Sequence, residues 1–82
     1  MTNKAEDLKV EYAWDIAREN MKNIRLKNKL TIEKLAKEIN WSSSSIGGYE
    51  IGKRVPTITY IIDFCNYFGL KIENLFKREE QK

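Results

Sequence analysis

Apolar residues recur at helical period along most of this chain, and short polar punctuation cuts the pattern into pieces. Val10, Trp14, Ala17, Met21 and Ile24 follow steps of four and three, which sets them on one helical face. A first helix is expected from about Asp7 to Asn28. Thr31 is a suitable N-cap for a second, with Leu35, Ala36 and Ile39 turned inward, and Asn40-Trp41-Ser42 interrupts it. Ser42 is the natural N-cap of a third helix that buries Ile46 and Tyr49. Gly52 suits a left-handed stop, and Pro56 lies beyond it. Thr57 caps a fourth helix with Ile58, Ile61, Ile62, Cys65 and Phe68 as its apolar face, ended by Gly69. A short fifth helix over Ile72 to Lys77 adds Leu75 and Phe76 to the core. The β-branched run from Val55 to Ile62 keeps its helical period through Phe68, so no strand is expected. The fold class is all-α, a compact bundle of five helices.

The third helix is poorly supported by its own residues. Ser42 to Ser45 and the pair Gly47-Gly48 are weak helix formers, and each glycine costs about 1 kcal/mol relative to alanine. Tertiary packing must hold it.

The chain has 82 residues, enough for one small domain, expected over residues 1–78 with a charged tail at 79–82. Its formal net charge of +3 says little about a partner, but the distribution says more. Residues 1–19 carry Glu6, Asp7, Glu11, Asp15 and Glu19 against Lys4, Lys9 and Arg18. Residues 22–37 carry Lys22, Arg25, Lys27, Lys29, Lys34 and Lys37 against Glu33 alone, and Lys53-Arg54 is a second basic point. Concentrated positive charge attracts phosphate backbones or anionic membranes, although a merely solvated face would look the same.

Histidine is absent and Cys65 is the only cysteine, which excludes an intramolecular disulfide and a Cys/His metal site. Cys65 sits among phenylalanines and reads as a buried, inert thiol. There is no apolar run resembling a signal peptide, and no segment approaches the ~20 apolar residues of a membrane span, so a cytoplasmic location is expected.

The segment Leu30 to Phe76, LTIEKLAKEINWSSSSIGGYEIGKRVPTITYIIDFCNYFGLKIENLF, carries an ordered set of features: Leu30-Thr31, Leu35-Ala36, Ile39, Ser42, Ile46, Tyr49-Glu50, Gly52-Lys53, Pro56, Gly69 and Leu75-Phe76, preceded by Ile24-Arg25. This set resembles the phage-repressor and Cro-like (XRE-type) helix-turn-helix DNA-binding family, over well more than half of the chain. The resemblance implies a lambda-repressor-like bundle with its motif at residues 31–50, in which Ser42 to Glu50 is the recognition helix. In this family that helix enters the major groove of double-stranded DNA.

Carried onto this sequence, the base-edge positions are Ser43, Ser44, Gly47 and Gly48. Ser42, Ser45, Lys34, Lys37, Lys53 and Arg54 are expected at phosphates, with backbone N–H groups of the loop after the recognition helix and with Lys27 and Lys29 near the same edge. Arg25 and Glu50 are the positions that often pair in this family to hold the first helix against the recognition helix. The chain also departs from the usual pattern. Well-characterised readers place Gln, Arg, Asn or Lys at several base-edge points because bidentate hydrogen bonds need two donor or acceptor atoms. Serine discriminates poorly and glycine has no side chain, and Ile32 stands where the family often has a phosphate-binding Gln. Either the small residues let the backbone approach DNA closely, with the shape of the site carrying specificity, or the helix docks on protein.

The resemblance implies a transcriptional regulator, a repressor of a phage, plasmid or other bacterial operon, acting as a homodimer on sites ~34 Å apart. The rival is an antirepressor or antitoxin part on the same fold. Candidate dimer surfaces are the region of Tyr67, Leu70 and Ile72, or the first helix near Tyr12 and Trp14. No enzyme, cofactor, metal, small-molecule substrate or membrane partner is expected. Gly47 to Arg54 nearly spells a nucleotide phosphate loop, but Arg54 replaces the magnesium-binding Ser or Thr and no strand precedes it. The serines have no histidine base to make one of them a nucleophile. Trp14, Trp41, Tyr60 and Tyr67 could stack on single strands, yet their helical spacing favours packing in the core or a dimer.

Overall fold

A computed structural model of the chain describes the backbone over residues 4–77 and side chains from residue 13 onward. Five helices follow one another: α1 (Lys4–Lys27), α2 (Ile32–Ile39), α3 (Ser43–Glu50), α4 (Ile58–Phe68) and α5 (Ile72–Leu75). No strand occurs among the described residues. The side chains of Val10 and Tyr12 and the tail at 79–82 lie outside them.

Local chemistry sets the helix starts. The side-chain oxygens of Thr31, Ser42 and Thr57 accept the backbone N–H groups of Lys34, Ser45 and Tyr60, satisfying donors that a helix leaves open. The stops are also alike. After α1, Leu30 N–H reaches Arg25 O and Lys29 N–H reaches Leu26 O, the paired bonds of a Schellman motif. The same pairing recurs after α3 around Gly52 and after α4 around Gly69, each with positive φ. At the end of α1, however, the left-handed position is held by Lys29, at φ 59°. A β-carbon is strained there. Lys29→Gly is therefore expected to raise stability by about 0.5–1 kcal/mol and the melting temperature by several degrees, checked by thermal unfolding. An unchanged or lower midpoint would show that the Lys29 side chain stabilises the turn by other means.

The core draws on every helix. Ala17 and Met21 come from α1, Leu35 and Ala36 from α2, Ile46 and Tyr49 from α3, Tyr60, Ile61, Phe64 and Cys65 from α4, and Leu75 from α5. Tyr60 is its hub, with ring centroids 4.7 Å from Tyr49, 5.2 Å from Trp41 and 6.0 Å from Phe64. Burial, reinforced by Glu50 and Tyr49, pushes the Tyr60 phenol far above its ordinary range and keeps it neutral. The Cys65 thiol is raised by burial alone, as suits a packed and unreactive group.

The face of α4 differs from the sequence expectation. Ile58 and Ile62 are exposed, while Tyr60 and Phe64 take the interior beside Ile61 and Cys65. Both sets repeat at one helical turn, and the aromatic pair removes more apolar surface from water. α1 begins at Lys4 and ends at Lys27, and α5 stops at Leu75 instead of Lys77. The C-terminal turn is clasped by α1: Asn20 Nδ2 donates to Leu75 O (2.7 Å) and Lys77 O (2.8 Å), and Trp14 packs edge-on against Phe76 at 5.6 Å.

Candidate nucleic-acid interface

α2 and α3 are joined by a turn whose geometry is imposed from below. Asn40 adopts φ 61° to end α2. Trp41 then packs edge-on to Tyr60, and its Nε1–H donates to Asp63 Oδ2 at 2.8 Å, fixing the turn to α4. Next comes the α3 cap, where Ser42 Oγ accepts Ser45 N–H at 3.0 Å and donates to Ser45 Oγ at 2.9 Å. Ser42 and Ser45 are thus engaged with each other at the helix start, leaving Ser43 and Ser44 exposed.

On a helical projection, Ser43, Ser44, Gly47 and Gly48 fall together, opposite the buried Ile46 and Tyr49. This outward face carries no side chain longer than serine. A β-carbon added at Gly47 would meet nothing within 4 Å, whereas one at Gly48 would lie 3.3 Å from Arg54 Cδ. The stem of Arg54 therefore lies across Gly48. Because both glycines are helical, they form no phosphate-cradling loop.

Cations stand on both sides of that face. Before it, exposed Lys34 and Lys37 share an open groove of about 670 Å³ with Thr31, Glu33, Asn40, Trp41 and Ser43. After it, Lys53 and Arg54 are exposed in the loop. Their backbone N–H groups, expected to be available for phosphate, instead both donate to Gly48 O, at 2.9 and 3.2 Å. The Schellman turn at Gly52 consumes them, so only the side chains of this pair remain to meet an anion. Lys29 is likewise exposed in the turn after α1.

Arg25 and Glu50 are brought together across α1 and α3. Arg25 Nε donates to Glu50 Oε2 at 2.7 Å and Nη2 to Oε1 at 3.0 Å, a bidentate pair. Nη1 donates to Leu30 O at 2.6 Å, so one guanidinium ties the end of α1, the next turn and the end of α3. The side chains are only 8% and 10% exposed. The hydrogen bond to Glu50 holds the Arg25 pKa above its ordinary value, against the opposing effect of burial.

Arg18 escaped the sequence reading. Its guanidinium lies 3.4 Å from where a β-carbon on Gly52 would stand, and it pairs with Asp15 one turn earlier. This puts a third cation beside the Lys53-Arg54 loop. Nothing local in the sequence links residues so far apart.

Two short capped helices joined by a tight turn, the second with one face buried and the other open to solvent, define a helix-turn-helix protein. Residues 21–75 match the helix-turn-helix family. An uncharacterized HTH-type transcriptional regulator of Methanocaldococcus jannaschii is 34% identical over 62 residues, covering 76% of this chain and 94% of the relative. No solved structure matches. The chain belongs to the helix-turn-helix family. The match begins inside α1, leaving residues 4–20 of that helix outside it. No described helix is long and apolar enough to cross a membrane.

Proposed function

We propose that this protein binds double-stranded DNA with α3 in the major groove and acts as a transcriptional regulator, a repressor of a phage, plasmid or other bacterial operon, as a homodimer. The observation that carries the reading is the flanking of an open helix face by cations on both sides, Lys34 and Lys37 before it and Lys53 and Arg54 after it. A duplex presents phosphates on both edges of its groove, so a helix seated between them needs positive charge on both flanks. The name of the archived relative from M. jannaschii, a transcriptional regulator, points the same way.

Ser43, Ser44, Gly47 and Gly48 meet base edges in this reading, while Ser42, Ser45, Lys34, Lys37, Lys53 and Arg54 face phosphate. With no bidentate side chain on α3, much of the specificity falls to the shape and deformability of the site. The test is rounds of selection from random duplexes, with binding measured at two salt concentrations. A symmetric site should be enriched, with affinity falling steeply as salt rises because bound phosphates release counterions. Lys53→Ala should flatten the slope of log affinity against log salt by about one unit and weaken all sequences alike. An unchanged slope would remove Lys53 from the contact. Weak binding without enrichment would favour the rival, a protein-docking module.

A further inference from the structure

Exposed aliphatic side chains gather between Ile51 and Ile62. Ile51 is 73% exposed, Val55 63%, Ile58 63% and Ile62 41%. Ile51 is the C-cap of α3, Val55 follows Arg54 in the loop, and Ile58 and Ile62 lie one turn apart on the outer side of α4. Single exposed apolar residues need no explanation, but four in so short a stretch mark an interaction surface. We propose that this stretch is the dimer contact, and that its occupant is a second copy of the same chain.

Three observations favour a second copy. First, the exposed positions of α4 beside Ile58 and Ile62 are Thr59 and Asn66, so charge is absent from the middle of the surface. A two-fold contact sets each patch against itself, which charged centres would oppose and an aliphatic one allows. Second, the available area is small. Four such side chains offer roughly 400 Å² per copy, about half of what a standard interface uses. That fits a weak contact completed on DNA better than a permanent complex. Third, the surface begins where the candidate DNA face ends. A two-fold axis near Ile51 brings the ends of both α3 helices to the centre of the pair, as a two-fold-symmetric duplex site requires. Lys53 and Arg54 of both copies then approach the axis, and phosphate would relieve their repulsion.

The surfaces expected from sequence fit less well. Trp14 is occupied by Phe76, and Leu70 is partly buried on the core, although Tyr67 and Ile72 stay exposed. The third argument rests on the DNA-binding reading; the first two do not.

The test is sedimentation velocity of the full chain, without DNA, up to its highest soluble concentration. Wild type should show a reversible monomer–dimer equilibrium. Ile58→Glu should weaken it by at least about tenfold, with the far-ultraviolet circular dichroism unchanged, because the residue is exposed. Val55→Glu replaces it should that variant misfold. Ile72→Glu should leave the equilibrium alone. A wild type that stays monomeric throughout, or dissociation caused by Ile72→Glu and not by Ile58→Glu, would overturn the proposal. A dimer that binds no duplex would defeat the DNA-binding reading and leave this contact standing. A monomer that binds a half-site would do the reverse.

Discussion

Replacing Glu50 with alanine is expected to cost about 3–5 kcal/mol of stability, because it strands the Arg25 guanidinium in a site with almost no access to water. A chain of this length has only roughly 4–12 kcal/mol in total, so the variant should be partly unfolded or melt well over 10 °C lower. Exposed ion pairs contribute little, but this one is about nine-tenths buried and bidentate, and Leu30 O takes a further N–H of the same group. Removing the carboxylate leaves two donors without partners. The control is the double substitution Arg25→Met with Glu50→Leu, which removes both charges and keeps the volume apolar. It should retain most of the stability that Glu50→Ala loses. The loss should also be local. α3 is the helix least supported by its residues, so its amides should lose hydrogen-exchange protection first. A cost below about 1 kcal/mol for Glu50→Ala would mean that water reaches the guanidinium and that the pair is not what holds α3 down.

This dependence of α3 on a distant pair explains why some of the molecule is legible in its sequence and some is not. The caps at Thr31, Ser42 and Thr57 are readable because the acceptor and the N–H it satisfies lie within three residues. Ile46 and Tyr49 are readable for a similar reason, since the rest of α3 has nothing apolar to bury. α4 is apolar on two adjacent faces, and its own spacing cannot choose between Ile58 with Ile62 and Tyr60 with Phe64. The choice is made by what packs above: Tyr49 and Trp41 both need Tyr60. The Arg25–Glu50 pairing came from family resemblance alone, because no periodicity joins residues 25 apart. Arg18 beside Gly52, and Trp41 bonded to Asp63, had no signal at all. The loop cations were legible as charges, but the loss of their N–H groups to Gly48 O depends on the turn that Gly52 adopts.

Gly47→Ala is expected to stabilise the protein and weaken its binding to DNA, two effects of opposite sign from one methyl group. Gly47 does not need to be glycine for the fold. Its φ is not positive, unlike those of Gly52 and Gly69, and a β-carbon there would meet nothing within 4 Å. Alanine should add about 0.5–1 kcal/mol through helix propensity, seen as a rise of several degrees in melting temperature. If the backbone of α3 approaches the floor of the groove, as proposed, the same methyl holds the helix away from it. Affinity for the selected site should then fall by about tenfold or more, the cost of one displaced close contact. Gly48→Ala provides a graded comparison. Its β-carbon would press on Arg54 Cδ at 3.3 Å, and a flexible side chain can yield by a few tenths of an ångström. That variant should gain less stability and should shift the salt dependence as well, through Arg54. A Gly47→Ala protein that is more stable and binds its site as tightly as wild type would rule out close backbone approach. Any base reading would then rest on the hydroxyls of Ser43 and Ser44 and on the shape of the duplex.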